Sequence, residues 1–520
     1  MSLFVLTLDW DGLEKDKYVH TVLEDNLLMN FIEKCRWFAG KAKAKGRYTL
    51  KIKHVTRFTH EEETFFFTIF TAKYSDNSIE AYLLPLSFIE KSRENIDERG
   101  IISDANLNDT DGYLVDATYD PKFRHALFQN IVNAEQVVQQ NDSVLSFAKG
   151  KALTDETLDS SYIPDIDSSN SVFIFGEHYF YKLYRKIFTE TNPEVEMVEF
   201  ITQHSDFSNI PRYAGSCTWK RDGEPDVTFG MMVEVIKNEK DDWSKTGDYL
   251  NDFVEAFGQG NFQIKESVFD KVTLLAKRTA EMHHALYAPR SEENFRADGF
   301  DRAYRRFIHQ KVENLIEQRY ELLTDNYLKL DKQAQHLAWI FMESKELIIN
   351  FVDQILTKNL DSYRTRIHGD YHLRQILVTG DDLTIIDFEG EPESSIESRK
   401  IKHSPLKDVA GMVRSYHYAV SAKLFNSPET SMVDEKVLER AANRWYKLIR
   451  DTFLEEYFSY FGSPHPLYKN NNEANYLLQF HLLEKSIYEL GYEINYRPTW
   501  VKIPLKGIVE VIQEIEKLRR

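Results

Sequence analysis

The sequence predicts an α+β fold whose β-rich part comes first and whose helical part follows. Three observations carry this: 520 residues exceed one ordinary core, strand-like runs crowd the stretch up to residue 238, and helix-period patterns dominate after it. Hydrophobic residues at 42% and aromatics at 13% supply ample core material, unlike the composition of a disordered chain.

Residues 1–115 combine a helical pattern around Asp25 to Arg36 with the strand-like run Thr64 to Phe70. Residues 116–238 suit a small lobe, because Val172-Phe173-Ile174-Phe175 and Tyr179 to Tyr184 flank a Gly176-Glu177-His178 turn. Ser168-Ser169-Asn170-Ser171 enters this hairpin and offers hydroxyls, an amide and backbone N–H groups for phosphate, although a plain turn explains the same residues. Lys182 stands among apolar strand neighbours, where a cation needs a reason to be. Asn192-Pro193 then opens a helix with Glu194 and Glu196 in its first turn, and charge alone does not choose between them as partners of the lysine. Met231 to Ile236 reads as an apolar strand leaving the lobe. Residues 239–520 are mostly helical, with periodic stretches at 268–284, 303–323, 334–356, 437–458 and 476–494, and Asn470-Asn471-Asn472 reads as a loop.

The most informative stretch is Arg366 to Pro392, RIHGDYHLRQILVTGDDLTIIDFEGEP. Two β-branched runs, Ile376 to Val378 and Leu383 to Ile386, surround turn-forming Thr379 to Asp382 and predict a hairpin. Pairing about Asp381 returns Gln375 and Asp387 to one end, where an amide oxygen and a carboxylate suit Mg²⁺. Asp370 lies on the loop leading in, placed to meet an acceptor hydroxyl as a general base. Glu389 is an aid to a second ion, and His368 has a backbone-anchoring role as its alternative to proton transfer.

His368-Gly369-Asp370, Gln375 and Ile386-Asp387-Phe388-Glu389 resemble the catalytic and metal segments of aminoglycoside phosphotransferase-like kinases. The longer runs Ser404-Pro405-Leu406-Lys407-Asp408-Val409-Ala410-Gly411-Met412-Val413-Arg414-Ser415, Tyr488 to Glu493 and Arg497 to Trp500 resemble bacterial maltokinases. Further similarities lie at Arg36 to Lys41, Asn192 to Glu196 and Ala280 to His283.

The resemblance implies a bilobal protein-kinase-like fold: a cap subdomain over 1–115, an N-lobe over 116–238 and a catalytic C-lobe over 239–520. It implies ATP and Mg²⁺ as cofactors, with Ser168 to Ser171, Lys182, Glu234 and Ile236 toward the nucleotide, and it favours Glu196 as the partner of Lys182. It implies transfer of the γ-phosphate to the anomeric hydroxyl of maltose, with another sugar or aminosugar as the nearest rival acceptor, and a functional association with trehalose synthase; a non-catalytic glycan-binding scaffold is the rival from another class, which fits poorly with an intact Lys182, Asp370 and Asp387. Lys485, Tyr488, Glu489 and Tyr492 fall at i, i+3, i+4 and i+7, one helical face that could clasp a sugar or simply be amphipathic. His372, Glu493 and Arg497 are further acceptor candidates, and Asp408 either touches sugar or braces the site.

The formal charge of −18 argues against a phosphate-tracking nucleic-acid surface. Only Cys35 and Cys217 are present, which excludes a disulfide framework and fits a reducing cytoplasm. No run reaches the length of a membrane span and no signal peptide is expected, so a cytoplasmic location is the expectation.

Overall fold

The computed structural model describes residues 6–38, 48–139, 143–158, 160–166, 168–287, 293–392, 394–426, 430, 433–462 and 465–518. Ala39, Gly40 and Lys41 of the Arg36 to Lys41 motif lie outside them. The chain divides into two compact units: residues 1–204 with 211–236, and residues 205–210 with 237–520.

The first unit holds two seven-stranded sheets. Strands β1 (Leu6–Leu8), β2 (Thr49–His60), β3 (Glu63–Lys73), β4 (Ile79–Glu90), β5 (Ile101–Leu107) and β6 (Thr110–Asp116) form one sheet in the order β1-β5-β6-β4-β3-β2. Helices α1 (Trp10–Lys15), α2 (Lys17–Val22) and α3 (Leu28–Ile32) precede β2, the last two joined by a π-helical turn over Leu23–Leu27. The helix expected at 25–36 therefore starts earlier and is interrupted.

After helix α4 (Pro121–Val132), the second sheet runs β7 (Gln136–Val138), β8 (Val144–Lys149), β13 (Tyr213–Arg221), β14 (Glu224–Glu234), β11 (Tyr179–Leu183), β10 (Ser171–Phe175) and β9 (Ser161–Tyr162). Strand β12 (Lys186–Ile187) leaves this lobe and pairs with β4. Helix α5 (Pro193–His204) follows, its first turn anchored by Asn192 Oδ1, which accepts from Glu194 N at 2.8 Å. Phe58, Phe65 and Phe67 from the first sheet share one buried cluster with Phe123, Phe147, Phe173, Trp219 and Phe229. The core thus crosses residue 115 without a break.

The second unit is mainly helical: α6 (Asp242–Gly258), α7 (Glu266–Tyr287), α8 (Arg302–Asn326), α9 (Lys332–Glu343), α10 (Lys345–Thr357), α11 (Ile396–Arg399), α12 (Leu406–Asn426), α13 (Glu435–Tyr460), α14 (Asn471–Tyr496) and α15 (Lys502–Leu518). The single helix expected over 334–356 is two, parted at Ser344. Asn471 and Asn472 are not loop residues either: they open α14, and the Asn470 side chain accepts from Glu473 N at 2.9 Å and caps the helix. Short strands β15 (Lys240–Asp241), β18 (Ile376–Thr379) and β19 (Asp382–Ile385) make a three-stranded sheet, and β16 (Asp298–Gly299) pairs with β17 (Tyr363–Arg364). No helix among the described residues is long and apolar enough to cross a membrane.

Candidate active site

The β18–β19 hairpin closes through Gly380-Asp381, with Gly380 at φ 62°, the positive value a two-residue hairpin turn requires. Its register pairs Ile376 with Ile385, so Gln375 stands opposite Ile386, and Ile386 N donates to Gln375 O at 2.9 Å. This is half a step off the pairing expected about Asp381. The backbone at Asp387 compensates: at φ 69° it adopts the left-handed conformation that Asp tolerates, and its Oδ2 accepts from Gln375 Nε2 at 3.2 Å. Amide and carboxylate do meet, with a local backbone turn completing what pairing alone leaves short.

Among the described residues no group of three or more His, Cys, Asp or Glu side chains could hold a metal. A Mg²⁺ ion needs only one or two protein carboxylates and fills its shell with water and phosphate. Asp387 and Gln375 supply such a donor set, the amide presenting its oxygen after a half-turn about its last bond. Glu389 lies beyond, its Oε2 4.0 Å from Arg399.

Asp370 is braced by its neighbours. His368 and Gly369 donate their backbone N–H groups to Asp408 Oδ2 and Oδ1 at 2.8 and 2.9 Å, and His283 Nε2 lies 3.3 Å from the same carboxylate. Asp408 is 2% exposed; it braces this loop and also lines the cavity near Asp370. Burial opposes its charge, yet His283 and His368 outweigh it and hold its pKa below the ordinary value. His368 Nε2 contacts Ile386 O at 2.8 Å and its ring packs on Phe388, tying the loop to the hairpin. Gly411 of α12 admits this loop: a Cβ there would sit 2.6 Å from Tyr371 O.

Asp370 itself is partly buried, and His372 Nε2 approaches its Oδ2 at 3.6 Å. Burial raises the Asp370 pKa, but the His372 contact and the Lys485 charge together prevail and lower it. The carboxylate is ionised across the neutral range, as a base that accepts a hydroxyl proton must be.

Near Asp370 opens a cavity of about 480 Å³, with Gly369 and Tyr371 in its wall. Lys485 and Tyr488 line it, and both face Glu391, at 3.8 Å and 3.3 Å. Asp408 lines it as well, whereas Glu489, Tyr492, Glu493 and Arg497 do not. Glu489 is held by Arg414 of α12 at 2.9 Å, because α14 packs against several helices at once. Glu493 accepts from Tyr418 and Arg497 at 3.1 and 2.7 Å, while Tyr492 is 42% exposed beside Tyr496. The one helical face expected from spacing is divided among a cavity, a helix contact and the surface.

In the first unit, Lys182 of β11 donates to Glu194 Oε2 at 2.9 Å, and Tyr184 donates its hydroxyl to the same oxygen at 2.9 Å. Glu194 is the carboxylate that the resemblance ranked second. Glu196 shares its helical turn and is half-buried. Asn170 Oδ1 and Ser171 Oγ accept from Arg185 N and Nε at 3.2 and 2.8 Å, and Asn170 N donates to Ser168 Oγ at 3.0 Å. Asn170 and Ser171 are therefore tied to Arg185 and Ser168 to its own turn, while Ser169 is exposed. Glu234 binds Arg212 through two bonds of 2.6 and 2.7 Å, and Ile236 ends the unit, half-buried. Sequence reasoning missed Arg185, whose guanidinium also binds Asp116 at 2.6 Å with both side chains fully buried. An arginine directly after an apolar strand was its only signal.

Residues 31–120 match the maltokinase N-terminal cap domain. A glucosamine kinase from Streptacidiphilus jiangxiensis is 22% identical over 360 residues, 67% of this chain and 73% of that protein. The solved structure of a glucosamine kinase with glucosamine, ADP and inorganic phosphate has a TM-score of 0.62 at 16% identity, covering 89% of this chain and 93% of its own. A second glucosamine kinase crystal form gives 0.63 at 15% identity, covering 89% of this chain and 94% of its own. Residues 31–120 thus carry a maltokinase-type N-terminal cap, and the fold of the chain is similar to that of the glucosamine kinases.

Proposed function

We propose that this chain is an ATP-dependent sugar phosphotransferase that acts on maltose, transferring the γ-phosphate to the anomeric hydroxyl to give maltose 1-phosphate. The observation that carries the reading is the conjunction of Asp370, ionised on a braced loop, with the Gln375–Asp387 pair at 3.2 Å, in a chain whose residues 31–120 match a maltokinase cap. Phosphoryl transfer asks the protein mainly for positioning and charge neutralisation, and this residue set supplies both. Asp370 orients the acceptor hydroxyl and takes its proton. Gln375 and Asp387 would hold Mg²⁺, with Glu389 as an aid to a second ion, and the bound ion would neutralise phosphate charge. Lys182, held by Glu194, is the cation assigned to the nucleotide phosphates, and the backbone of Met231 to Ile236 is the segment assigned to its base. Lys485 and Tyr488 are assigned to the acceptor, with the tyrosine ring covering sugar C–H surface. The resemblance to maltokinases links such a reaction to trehalose, maltose and α-glucan metabolism and to a trehalose synthase partner.

A glucosamine-type acceptor is the second reading, favoured by the name of the similar curated protein. Mg-ATP assays against maltose, glucose, glucosamine and trehalose, with the phosphorylated position identified, decide between them. The reading predicts phosphate at C1 of maltose; turnover confined to glucosamine would replace it with the second.

A further inference from the structure

The strand that carries Lys182 runs on into the cap. Arg185 stands three residues after the lysine, its carbonyl accepts from Leu83 N of β4 at 2.7 Å, and β12 then pairs Lys186 with Tyr82 and Ile187 with Ala81. The Arg185 side chain is fully buried and reaches in two directions. Toward the cap, Nη2 donates to Asp116 Oδ2 at 2.6 Å and to Thr118 Oγ1 at 2.9 Å, and the guanidinium lies over the Trp37 ring at 4.8 Å. Toward the turn that leads into β10, Nε donates to Ser171 Oγ at 2.8 Å, while the backbone N–H of the same residue donates to Asn170 Oδ1 at 3.2 Å. The β10–β11 ladder ends where Ser171 pairs with Leu183, and none of Ser168 to Ser171 is buried. Beyond the ladder, the two bonds from Arg185 are what tie the turn to the lysine strand. An ion pair that served only to join cap and lobe would need neither of them.

We propose that Arg185 is a positioning residue for the nucleotide: by clamping the 168–171 turn both to the cap and to the Lys182 strand, it makes nucleotide affinity depend on the cap. The inference rests on the kinase reading above, in which this turn and Lys182 face the nucleotide. A turn already held in its binding geometry costs a ligand no ordering free energy, whereas one that adopts that geometry in about a tenth of the molecules weakens apparent affinity about tenfold. The guanidinium suits the task because its planar fork fixes several acceptors at once, here a carboxylate and a hydroxyl on the cap side and a hydroxyl on the turn side. Arg185 acts through Asn170 and Ser171 rather than by touching the nucleotide.

Two variants of the full chain separate this role from a purely structural one. Asn170→Ala with Ser171→Ala removes both bonds to the turn and leaves the Arg185–Asp116 pair intact. Arg185→Met with Asp116→Leu replaces that pair by apolar groups, so part of the stability lost in Arg185→Met returns while Ser171 still lacks its partner. Binding of Mg-ADP is measured by calorimetry without a sugar, and stability by denaturant unfolding. Each variant is expected to weaken Mg-ADP binding about tenfold, and the four substitutions together to weaken it no further, because both sets release the same clamp. Recovery of Mg-ADP affinity along with stability in Arg185→Met/Asp116→Leu would overturn the positioning role. So would wild-type affinity in a folded Asn170→Ala/Ser171→Ala variant, or losses that multiply when the two sets are combined, since these would mean that Asn170 and Ser171 meet the nucleotide on their own. Wild type that binds no Mg-ADP would overturn the kinase reading and this inference with it, whereas wild-type binding that the variants leave untouched overturns the inference alone.

Discussion

The role proposed for Asp370 depends on its charge state, and that state is set by a balance: burial raises its pKa while His372 and Lys485 lower it further than burial lifts it. A carboxylate with a depressed pKa stays ionised until the pH falls below its ordinary range, so the acid limb of the rate profile should lie below the ordinary carboxylate range. His372→Ala removes the largest lowering influence, and the limb should move toward neutral pH; an unmoved limb would deny the contact its role. Asp408 illustrates a different dependence. Its replacement by Ala orphans the N–H groups of His368 and Gly369, each at a cost of about 1–3 kcal/mol, so the melting temperature and kcat should fall together. The sequence showed Asp370, Gln375 and Asp387 through their spacing, since strand geometry is regular enough to carry distance information. It left Glu194 and Glu196 both open as partners of Lys182, because two acids in one helical turn differ only in how the helix is rotated against its sheet, and that rotation is set by packing; Glu194 bonds the lysine at 2.9 Å.

At the level of elements, local patterns were readable and neighbours were not. The hairpin was legible because β-branched runs and a Gly-Asp turn act over a few residues. Its half-step register and the left-handed Asp387 were not, since both depend on where the turn centres. Ser344 parts α9 from α10 without a proline or glycine, so the sequence carried no break signal there. In α14 the residues 485, 488, 489 and 492 do share one side of an isolated helix, but α8, α12 and α15 surround it and divide that side among them. Gly411 marks a place where α12 and the catalytic loop nearly touch. Gly411→Ala would set a methyl 2.6 Å from Tyr371 O, and overpacking of this kind costs about 1–3 kcal/mol. The expected outcome is a lowered melting temperature together with a lower kcat, because the displaced loop carries Asp370.

For the whole chain, the first unit shows that the cap is no appendage. Its sheet receives β12 from the neighbouring lobe, and the aromatic cluster runs through both. The Arg185–Asp116 pair is sealed at zero exposure, with the guanidinium 4.8 Å above the Trp37 ring. A buried pair is costly to break from one side, so Arg185→Met should lower stability by about 3–5 kcal/mol, read from denaturant unfolding, while Arg185→Met with Asp116→Leu should recover part of that loss. Removal of residues 1–115 should give an insoluble product rather than a smaller folded kinase, as Phe123, Phe147 and Phe229 would lose the partners that cover them. The α+β class and the helical second half were visible in the sequence as changes of hydrophobic period. The continuity of the core across residue 115 was not, because periodicity reports which face of an element is apolar and nothing about what it will cover.

The most direct test of the central claim, that Asp370 serves a phosphoryl-transfer site built with Gln375 and Asp387, is single-turnover transfer of the γ-phosphate to maltose by wild type and by Asp370→Asn. Transfer that falls about 10²- to 10⁴-fold in the variant, with folding and nucleotide binding intact, is the predicted result; transfer at the wild-type rate would contradict the account.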